Sequence, residues 1–246
     1  MMHKFNIIAA IFGLGLGLAA APAAHAASFI PNQEGEIKTK NLGCLDPSQC
    51  IDSSSLGFSV TSLQFDNDNS QTVNYGLSRL FVDSKGTENN YGNGLIKFSG
   101  TDGGTTEELG QFWLRPVAIQ TDGVASEAGE LEVGRFLFEF EKEFEKLSLD
   151  FFDTEKSGFS GILEVNGQSV QNMMLAAGSD GNTQTLTLKN VSSFVIHLGS
   201  DNGTGAGDGV TLSAIQSVPE PTTTFSLGAL AVAGMFGVKK RQKFKK

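Results

Sequence analysis

The chain has 246 residues, of which 27 are acidic and 18 basic, and its formal net charge at pH 7 is −9. Residues 27–217 hold 26 of the acidic and 11 of the basic side chains, so this part alone carries 11 − 26 = −15. Such a surface repels phosphate backbones, which argues against direct nucleic-acid binding and suits cations, neutral polysaccharide or simply solubility.

The first 26 residues have the three parts of a secretory signal peptide. His3 and Lys4 supply a short polar start, an apolar stretch runs from 5 to 18, and alanines occupy positions 24 and 26. Signal peptidases accept small residues at such positions, so we place cleavage after Ala26. A retained anchor helix is the alternative, but the short apolar stretch and the alanines favour removal.

Residues 27–55 are polar and turn-rich, and we expect them to form an N-terminal arm packed on the edge of the domain. This arm contains Cys44 and Cys50, the only two cysteines of the chain. An even cysteine count in an exported chain predicts a disulfide, and closing so short a loop should stabilise the fold by about 2–3 kcal/mol. A zinc site needs four ligands and no histidine lies nearby, so we interpret the bridge as structural.

Residues 56–217 are predicted to form a single domain of short strands, separated by turn signals such as Asn166-Gly167. No helical pattern alternates with the strands, which argues against a parallel α/β fold. We therefore predict an all-β, antiparallel β-sandwich of jelly-roll type. The predicted strands outside the phenylalanine-rich region are 56–65, 77–82, 95–99, 112–119, 161–165, 170–176, 183–189, 194–198 and 210–216.

The phenylalanine-rich region has the clearest strand pattern of the chain. Phe136, Phe138 and Phe140 alternate with more polar residues, which is typical of a half-buried strand. A helix over 139–146 competes, because Phe140 and Phe144 are four residues apart and would share a helix face. We predict a strand over 135–141, a turn over 142–146 and a second strand over 147–151.

The last 29 residues have three parts in a fixed order. Val218, Pro219, Glu220 and Pro221 come first, and prolines cannot continue a strand because they lack the backbone N–H. An apolar segment follows, and 222–238 as a helix would span roughly 25 Å, enough for a thin hydrocarbon core. Six of the final eight residues are basic, which places that end in the cytoplasm and the domain outside.

This order resembles the PEP-CTERM sorting signal of exopolysaccharide-producing Gram-negative bacteria. The resemblance covers residues 218–246 and implies that the tail is the substrate of an exosortase, a membrane transpeptidase-like enzyme that acts near Pro-Glu-Pro. The basic end departs from the family pattern, since it is mostly lysine where arginine is usual. The segment 131–134 (LEVG), the segment 149–155 (LDFFDTE) and the cysteine pair are similar to the cyanobacterial LEVG group of PEP-CTERM proteins, a grouping that implies no activity.

We find no catalytic motif in residues 27–217. His197 is the one histidine left after signal-peptide removal, and its strand-like surroundings favour an ordinary strand residue. Metalloprotease, phosphate-loop and dinucleotide-binding patterns are missing from the mature sequence. A glycosidase needs two carboxylates, and no pattern selects two from the 26 present. We predict that the protein is not an enzyme.

Calcium is the only cofactor for which the sequence offers a candidate site. Asp66 and Asp68 lie in a run of oxygen-bearing side chains, and Asp208 precedes the last predicted strand. Hard cations need six to eight oxygen ligands, which such loops can supply. The run is not an EF-hand, because Gln71 and Leu77 stand where glycine and glutamate are required. Asp and Asn are also common turn formers, and this alternative remains open.

The sequence as a whole predicts an exported, exosortase-sorted surface or matrix protein. We expect a non-catalytic β-sandwich associated with exopolysaccharide, held to the membrane by its C-terminal helix until it is processed. Tyr75, Tyr91 and Trp113 would stack on sugar rings if they are exposed, and would not if they lie in the core. A passive coat or spacer protein is the alternative, and a secreted hydrolase is a more distant one.

Overall fold

The computed structural model describes residues 28–65, 75–84, 87–98, 112–120, 132–154, 156–179, 181–199 and 211–217; for 75, 120 and 211–217 only the backbone is described. These residues belong to one compact unit, Ala26–Pro219. Among them, no helix is both long and apolar enough to cross a membrane. The predicted signal peptide and the predicted C-terminal membrane helix lie outside the described residues.

The described part is built from strands and two 3₁₀ helices, Pro47–Gln49 and Ser53–Leu56. The strands are β1 (Gly35–Ile37), β2 (Cys50–Ile51), β3 (Phe58–Leu63), β4 (Tyr75–Ser84), β5 (Asn89–Tyr91), β6 (Ile96–Phe98), β7 (Phe112–Gln120), β8 (Gly134–Phe152), β9 (Gly161–Val165), β10 (Gln168–Ser169), β11 (Thr183–Leu198) and β12 (Thr211–Ser217).

One sheet contains every described strand except β5 and β6, in the order β10-β9-β11-β8-β12-β7-β4-β1-β2. Strand β3 joins this sheet along the N-terminal half of β8, while β12 pairs with the C-terminal half. Thr39, just beyond β1, forms a bridge to Val60 of β3, so the pairings return from β1 to β3 in a closed circuit. Among the pairings of the described residues, only the β1–β2 pair and this bridge are parallel. The predicted all-β class with antiparallel pairing is confirmed.

The predicted turn over 142–146 is wrong, because β8 runs without interruption from Gly134 to Phe152. Its neighbour β11 also joins two segments that the sequence predicted as separate strands. The irregularity appears as a bulge, since Ser193 pairs with Glu139 and Val191 pairs with Phe144. Four residues of β8 therefore lie opposite one residue of β11. Three exposed charged residues, 141–143, occupy the bulge and produce the turn-like pattern in the sequence.

The predicted strand over 170–176 is also wrong. After the short β10, this segment runs as an extended loop with one isolated bridge between Met174 and Gly161. It is fixed to the chain before and within β9 by backbone hydrogen bonds, including Leu175 N to Ser160 O and Ile162 N to Met173 O. Apolar residues of the loop thus contribute to the core without a continuous ladder.

Pro116 lies within β7 and explains a gap in the sheet. Strand β7 pairs with β4 along its whole length but with β12 only at Leu114 and Leu212. A proline has no N–H to donate, so it is tolerated only where a strand has a free edge. Among the described residues, the side of β7 beyond Leu114 has no strand partner and can accommodate the proline.

The main core is rich in phenylalanine and contains side chains from most strands of this sheet, including β3, β4, β8 and β11. Phe138 stacks on Phe194 with ring centroids 4.9 Å apart, and Phe29 contacts Phe144 edge-on at 4.9 Å. Aromatic pairs in these geometries add about 0.5–1.5 kcal/mol to the effect of burial alone. The aliphatic members of this core are Ile30, Ile37, Ile51, Val60, Leu80, Val82, Leu114, Leu147, Leu149, Ile162, Leu175, Leu188, Val191, Ile196 and Leu198.

Candidate functional site

Charged side chains are buried on β1, β4 and β7, where an ordinary core would be apolar. Arg115 is 4% exposed and forms ion pairs with Asp83, at 2.9 Å, and with Glu132. Glu36, which is 1% exposed, forms an ion pair with Arg79. We refer to these five residues as the ion-pair cluster. Buried charges are tolerated only when they are paired in this way.

Strand periodicity places the cluster on the face of β4 that points away from the main core. Leu80 and Val82 belong to the main core, while Phe81 and Asp83 alternate with them and point to the other side. In the sheet register, Phe81 lies opposite both Arg115 on β7 and Glu36 on β1. The sheet is therefore buried on both faces here, with one face apolar and the other partly charged.

The hairpin formed by β5 and β6 covers this second face. Tyr91 and Phe98 from the hairpin pack on Phe81 with ring centroids 4.6 and 5.3 Å away. The Arg115 guanidinium lies 4.4 Å from the centre of the Phe98 ring, a cation–π contact. Leu45, from the cysteine loop, packs against the same group. The hairpin and the cysteine loop thus share one small core.

The disulfide between Cys44 and Cys50 is present, as predicted, with a Cα–Cα distance of 5.7 Å. Within the loop that it closes, the Leu45 amide donates a hydrogen bond of 2.6 Å to the Glu36 carboxylate. Cys50 pairs with Glu36 in the β1–β2 ladder. Glu36 therefore connects the disulfide loop to Arg79 and to the sheet.

The electrostatics of this region follow from burial. Burial raises the pKa of Glu36, and the Leu45 amide and Arg79 oppose that rise without cancelling it. Burial also raises the pKa of Tyr91, with Asp83 and Glu34 adding to the effect, so its phenol stays neutral at physiological pH. The Tyr91 hydroxyl has no hydrogen-bond partner among the described residues. This arrangement holds elements together and presents no activated nucleophile or base in its described part.

His197 is buried at 5% exposure, with its ring 5.7 Å edge-on from that of Phe65. Burial lowers the pKa of His197 to about 4, and the positive charge of Arg135 acts in the same direction. The imidazole is therefore neutral over the physiological pH range, and its Nδ1 has no partner among the described residues. His197 therefore has the environment of an ordinary buried strand residue, as the strand pattern predicted.

The remaining predicted site residues lie outside the described residues. These are the sorting motif, Val218, Pro219, Glu220 and Pro221, and the candidate calcium ligands, Asp66, Asp68 and Asp208. In the described part of the chain, no three His, Cys, Asp or Glu side chains are arranged to hold a metal ion. Calcium binding stays a prediction, which thermal unfolding of the protein with calcium and with a chelator would test.

A polar outer surface lies on the long strand pair β8–β11. Thr185 and Thr187 are exposed on β11 and lie opposite Asp150 and Ser148 of β8. The Thr185 hydroxyl donates a hydrogen bond of 2.6 Å to the Asp150 carboxylate. We refer to these four residues as the hydroxyl face. It offers hydrogen-bonding groups without an aromatic side chain among them.

Two of the three aromatic residues considered for sugar stacking are buried. Tyr91 is 1% exposed and Trp113 is 3% exposed, so neither ring face is available to a sugar. The side chain of Tyr75 lies outside the described residues. Stacking by Tyr91 or Trp113 is therefore ruled out in this conformation, because both side chains are buried.

Compared with known proteins, the chain matches no family model and no curated protein sequence.

The sequence analysis did not predict the ion-pair cluster. A signal for it was present, since Arg115 interrupts the apolar strand segment FWLRPVAIQ, and Arg79 and Asp83 interrupt YGLSRLFVDS. A charge inside such a segment has to find a partner when the strand is buried on both faces. Which charges pair depends on strand register, and that is a property of the folded sheet.

Proposed function

We propose that this protein is exported, sorted by an exosortase through its C-terminal tail, and retained at the cell surface or in the extracellular matrix as a non-catalytic domain associated with exopolysaccharide. The observation that carries the proposal is the three-part tail at 218–246, which follows directly on a compact all-β unit. The disulfide supports export, because such bonds persist in oxidising compartments. The membrane-embedded tail helix would anchor the domain until processing.

The fold that we propose for the domain is a β-sandwich with jelly-roll-like connections. Support comes from the way β8 shares one edge between β3 and β12, and from the closed circuit of pairings between β1 and β3. A strand shared in this way lets a continuous sheet fold over its own apolar face. The phenylalanine-rich main core would then fill the space between the two layers.

Polysaccharide association through this domain would use hydrogen bonds from the hydroxyl face. Thr185, Thr187 and Ser148 present neutral hydroxyl groups, and Asp150 adds one carboxylate. Hydroxyl and carboxylate groups can both bind sugar hydroxyls. The overall acidic charge favours neutral or cation-bridged polymers over anionic ones.

A passive coat or spacer role is the second candidate function. It is favoured by the burial of Tyr91 and Trp113, since large aromatic rings are the usual anchors of tight sugar recognition. A protein in this role would fill the matrix or separate other components without binding a specific glycan.

Binding of purified extracellular polysaccharide by the secreted protein tests the proposal. The T185A/T187A variant removes two hydroxyl groups, and S169A removes one from the exposed edge strand β10 as a matched control. Association through the hydroxyl face predicts reduced retention by T185A/T187A and unchanged retention by S169A. Absence of retention for the unmodified protein, with and without calcium, would favour the coat role. Equal retention of all three proteins would place binding elsewhere.

A further inference from the structure

Two Asn-Gly dipeptides in the described part of the chain occupy equivalent backbone positions. Asn93-Gly94 forms the tip of the β5–β6 hairpin, and Asn166-Gly167 forms the turn between β9 and β10. Asn93 has φ of 59° and Asn166 has φ of 52°, so both lie in the left-handed region. A third such dipeptide, Asn202-Gly203, lies outside the described residues.

An Asn-Gly sequence is chemically reactive because glycine has no side chain to shield its amide nitrogen. That nitrogen can attack the carboxamide carbon of the preceding asparagine. The reaction requires that the asparagine carboxamide can rotate toward the glycine nitrogen. It also requires that the glycine N–H is not held in a hydrogen bond. The two described turns differ in these requirements.

Four hydrogen bonds hold the carboxamide of Asn166. Its Oδ1 accepts from Ser192 N at 2.8 Å, from Ser192 Oγ at 3.0 Å and from Ser193 N at 3.1 Å. Its Nδ2 donates to Asn190 O at 2.6 Å. The carboxamide is thereby fixed against the bulge of β11 and cannot rotate toward Gly167 without breaking these bonds.

Asn93 has none of these restraints. Its side chain is exposed and makes no hydrogen bond within the described part of the chain. The Gly94 amide likewise has no acceptor among the described residues; the turn is closed instead by Leu95 N and Gly92 O, 3.4 Å apart. Both reacting groups at this hairpin tip are therefore available.

We propose that Asn93 is a site of spontaneous deamidation, with water as the only co-reactant. The Gly94 nitrogen loses its proton and bonds to the Asn93 side-chain carbon, and the carbon–nitrogen bond of the carboxamide breaks to release ammonia. Water then opens the resulting succinimide at either carbonyl, giving aspartate or isoaspartate. The net change replaces a neutral amide by a carboxylic acid, which is ionised near neutral pH. The hairpin tip therefore gains one negative charge.

Lys97 is placed to favour this change. A Cβ built on Gly94 would lie 3.5 Å from Cε of Lys97, so the end of the lysine stem lies beside Gly94. Its ammonium group makes no ion pair with another described residue. The positive charge stabilises the anion formed when Gly94 loses its proton, and it provides a partner for the product carboxylate.

Peptide mapping of the intact protein after storage at mildly alkaline pH tests the proposal. We expect aspartate and isoaspartate to accumulate at position 93 roughly tenfold or more faster than at position 166, because the Asn166 carboxamide must first break its hydrogen bonds and that of Asn93 has none to break among the described residues. Storage at mildly acidic pH should slow the reaction at 93, since the amide proton must leave.

The N93G variant is the control for the site. Glycine accepts the left-handed backbone, so the hairpin should fold as before, while the acidic charge variant assigned to position 93 should be lost. Faster conversion at 166 than at 93, or no conversion at 93 after prolonged alkaline storage, would overturn the proposal. Slower conversion in K97Q would support the role of the lysine, and an unchanged rate would contradict that role.

Discussion

The main core and the ion-pair cluster lie on opposite faces of β4. The first is stabilised by apolar packing and the second by buried ion pairs. Leu80 and Val82 face the main core, where phenylalanine rings pack on one another. Asp83, two positions from Phe81 on the other face, is neutralised by Arg115. Dispersion and the hydrophobic effect are insensitive to pH, whereas a buried ion pair depends on the charge of both partners.

The difference indicates what each region contributes. The main core supplies most of the favourable free energy, because apolar burial is favourable wherever it occurs. A buried ion pair contributes little net stability, since desolvation offsets attraction, but removing one partner is costly. The ion-pair cluster therefore fixes which elements sit together, namely the hairpin, the cysteine loop and the sheet.

The largest effect is expected for R115M. This change leaves Asp83 and Glu132 buried without Arg115 and should destabilise the protein by about 5 kcal/mol near neutral pH. Buried without the positive charge of Arg115, the two carboxylates would have raised pKa values in the folded state, so the variant should regain stability as pH falls and they take up protons. Urea unfolding near neutral and near acidic pH measures both effects.

K40M is the matched control for R115M. Lys40 also pairs with a carboxylate, Glu139, at 2.7 Å, but both side chains are about half exposed. Exposed pairs contribute little, so we expect a change within about 1 kcal/mol. Equal losses in the free energy of unfolding for K40M and R115M would mean that burial of the cluster has no effect on its contribution to stability.

F138A should have the next largest effect, a loss of about 4 kcal/mol. Phe138 stacks on Phe194 and Phe58, and truncation leaves a cavity among rings that cannot close in. Its cost should be the same near neutral and near acidic pH, unlike that of R115M. F138L, which keeps most of the volume, should cost no more than about 1.5 kcal/mol. A stability loss for F138A that changes with pH would contradict the proposed difference between the main core and the ion-pair cluster.

His197 adds pH dependence inside the main sheet itself. Its pKa falls from an ordinary 6.5 to about 4 on folding, so the unfolded chain binds the proton more readily. The contribution of neutral His197 to the free energy of unfolding is therefore fully present above pH 6.5. It is lost as pH falls toward 4, by up to roughly 3 kcal/mol. H197F should remove this part of the pH dependence of unfolding. The same slope in H197F and the unmodified protein would show that His197 is not responsible.

Apart from the control variants, the smallest effect is expected for the C44S/C50S variant. Loss of a short disulfide loop should cost about 2 kcal/mol. The consequence should be local, because Leu45 would leave the small core shared with Tyr91 and Phe98. Hydrogen exchange should then accelerate at β5 and β6 before it does at β11. Uniform acceleration across all strands would contradict the separation of the two regions.

Local patterns in the sequence predicted much of the fold. The alternation of Phe58, Val60 and Ser62 matches the buried face of β3, and Asn166-Gly167 forms the expected two-residue turn. The paired cysteines form the expected disulfide. These features depend on residues that are close together in the chain. A single sequence is therefore enough to predict them.

Features that depend on distant pairing were not predicted. The charged residues 141–143 have the composition of a turn, but the long partner β11 holds β8 together through a bulge. Segment 170–176 is apolar because it packs on the core, although it has no continuous ladder. The pairing of Arg115 with Asp83 and Glu132 likewise follows from the register of β4 and β7 and from where the chain enters β8.

Mass spectrometry of the mature protein from its native cell tests the central claim most directly. Our account predicts an N-terminus at Ala27, a C-terminus that has lost the apolar and basic parts of 218–246, and recovery from the cell surface or medium. Recovery of the uncut 246-residue chain from the cytosol would contradict it.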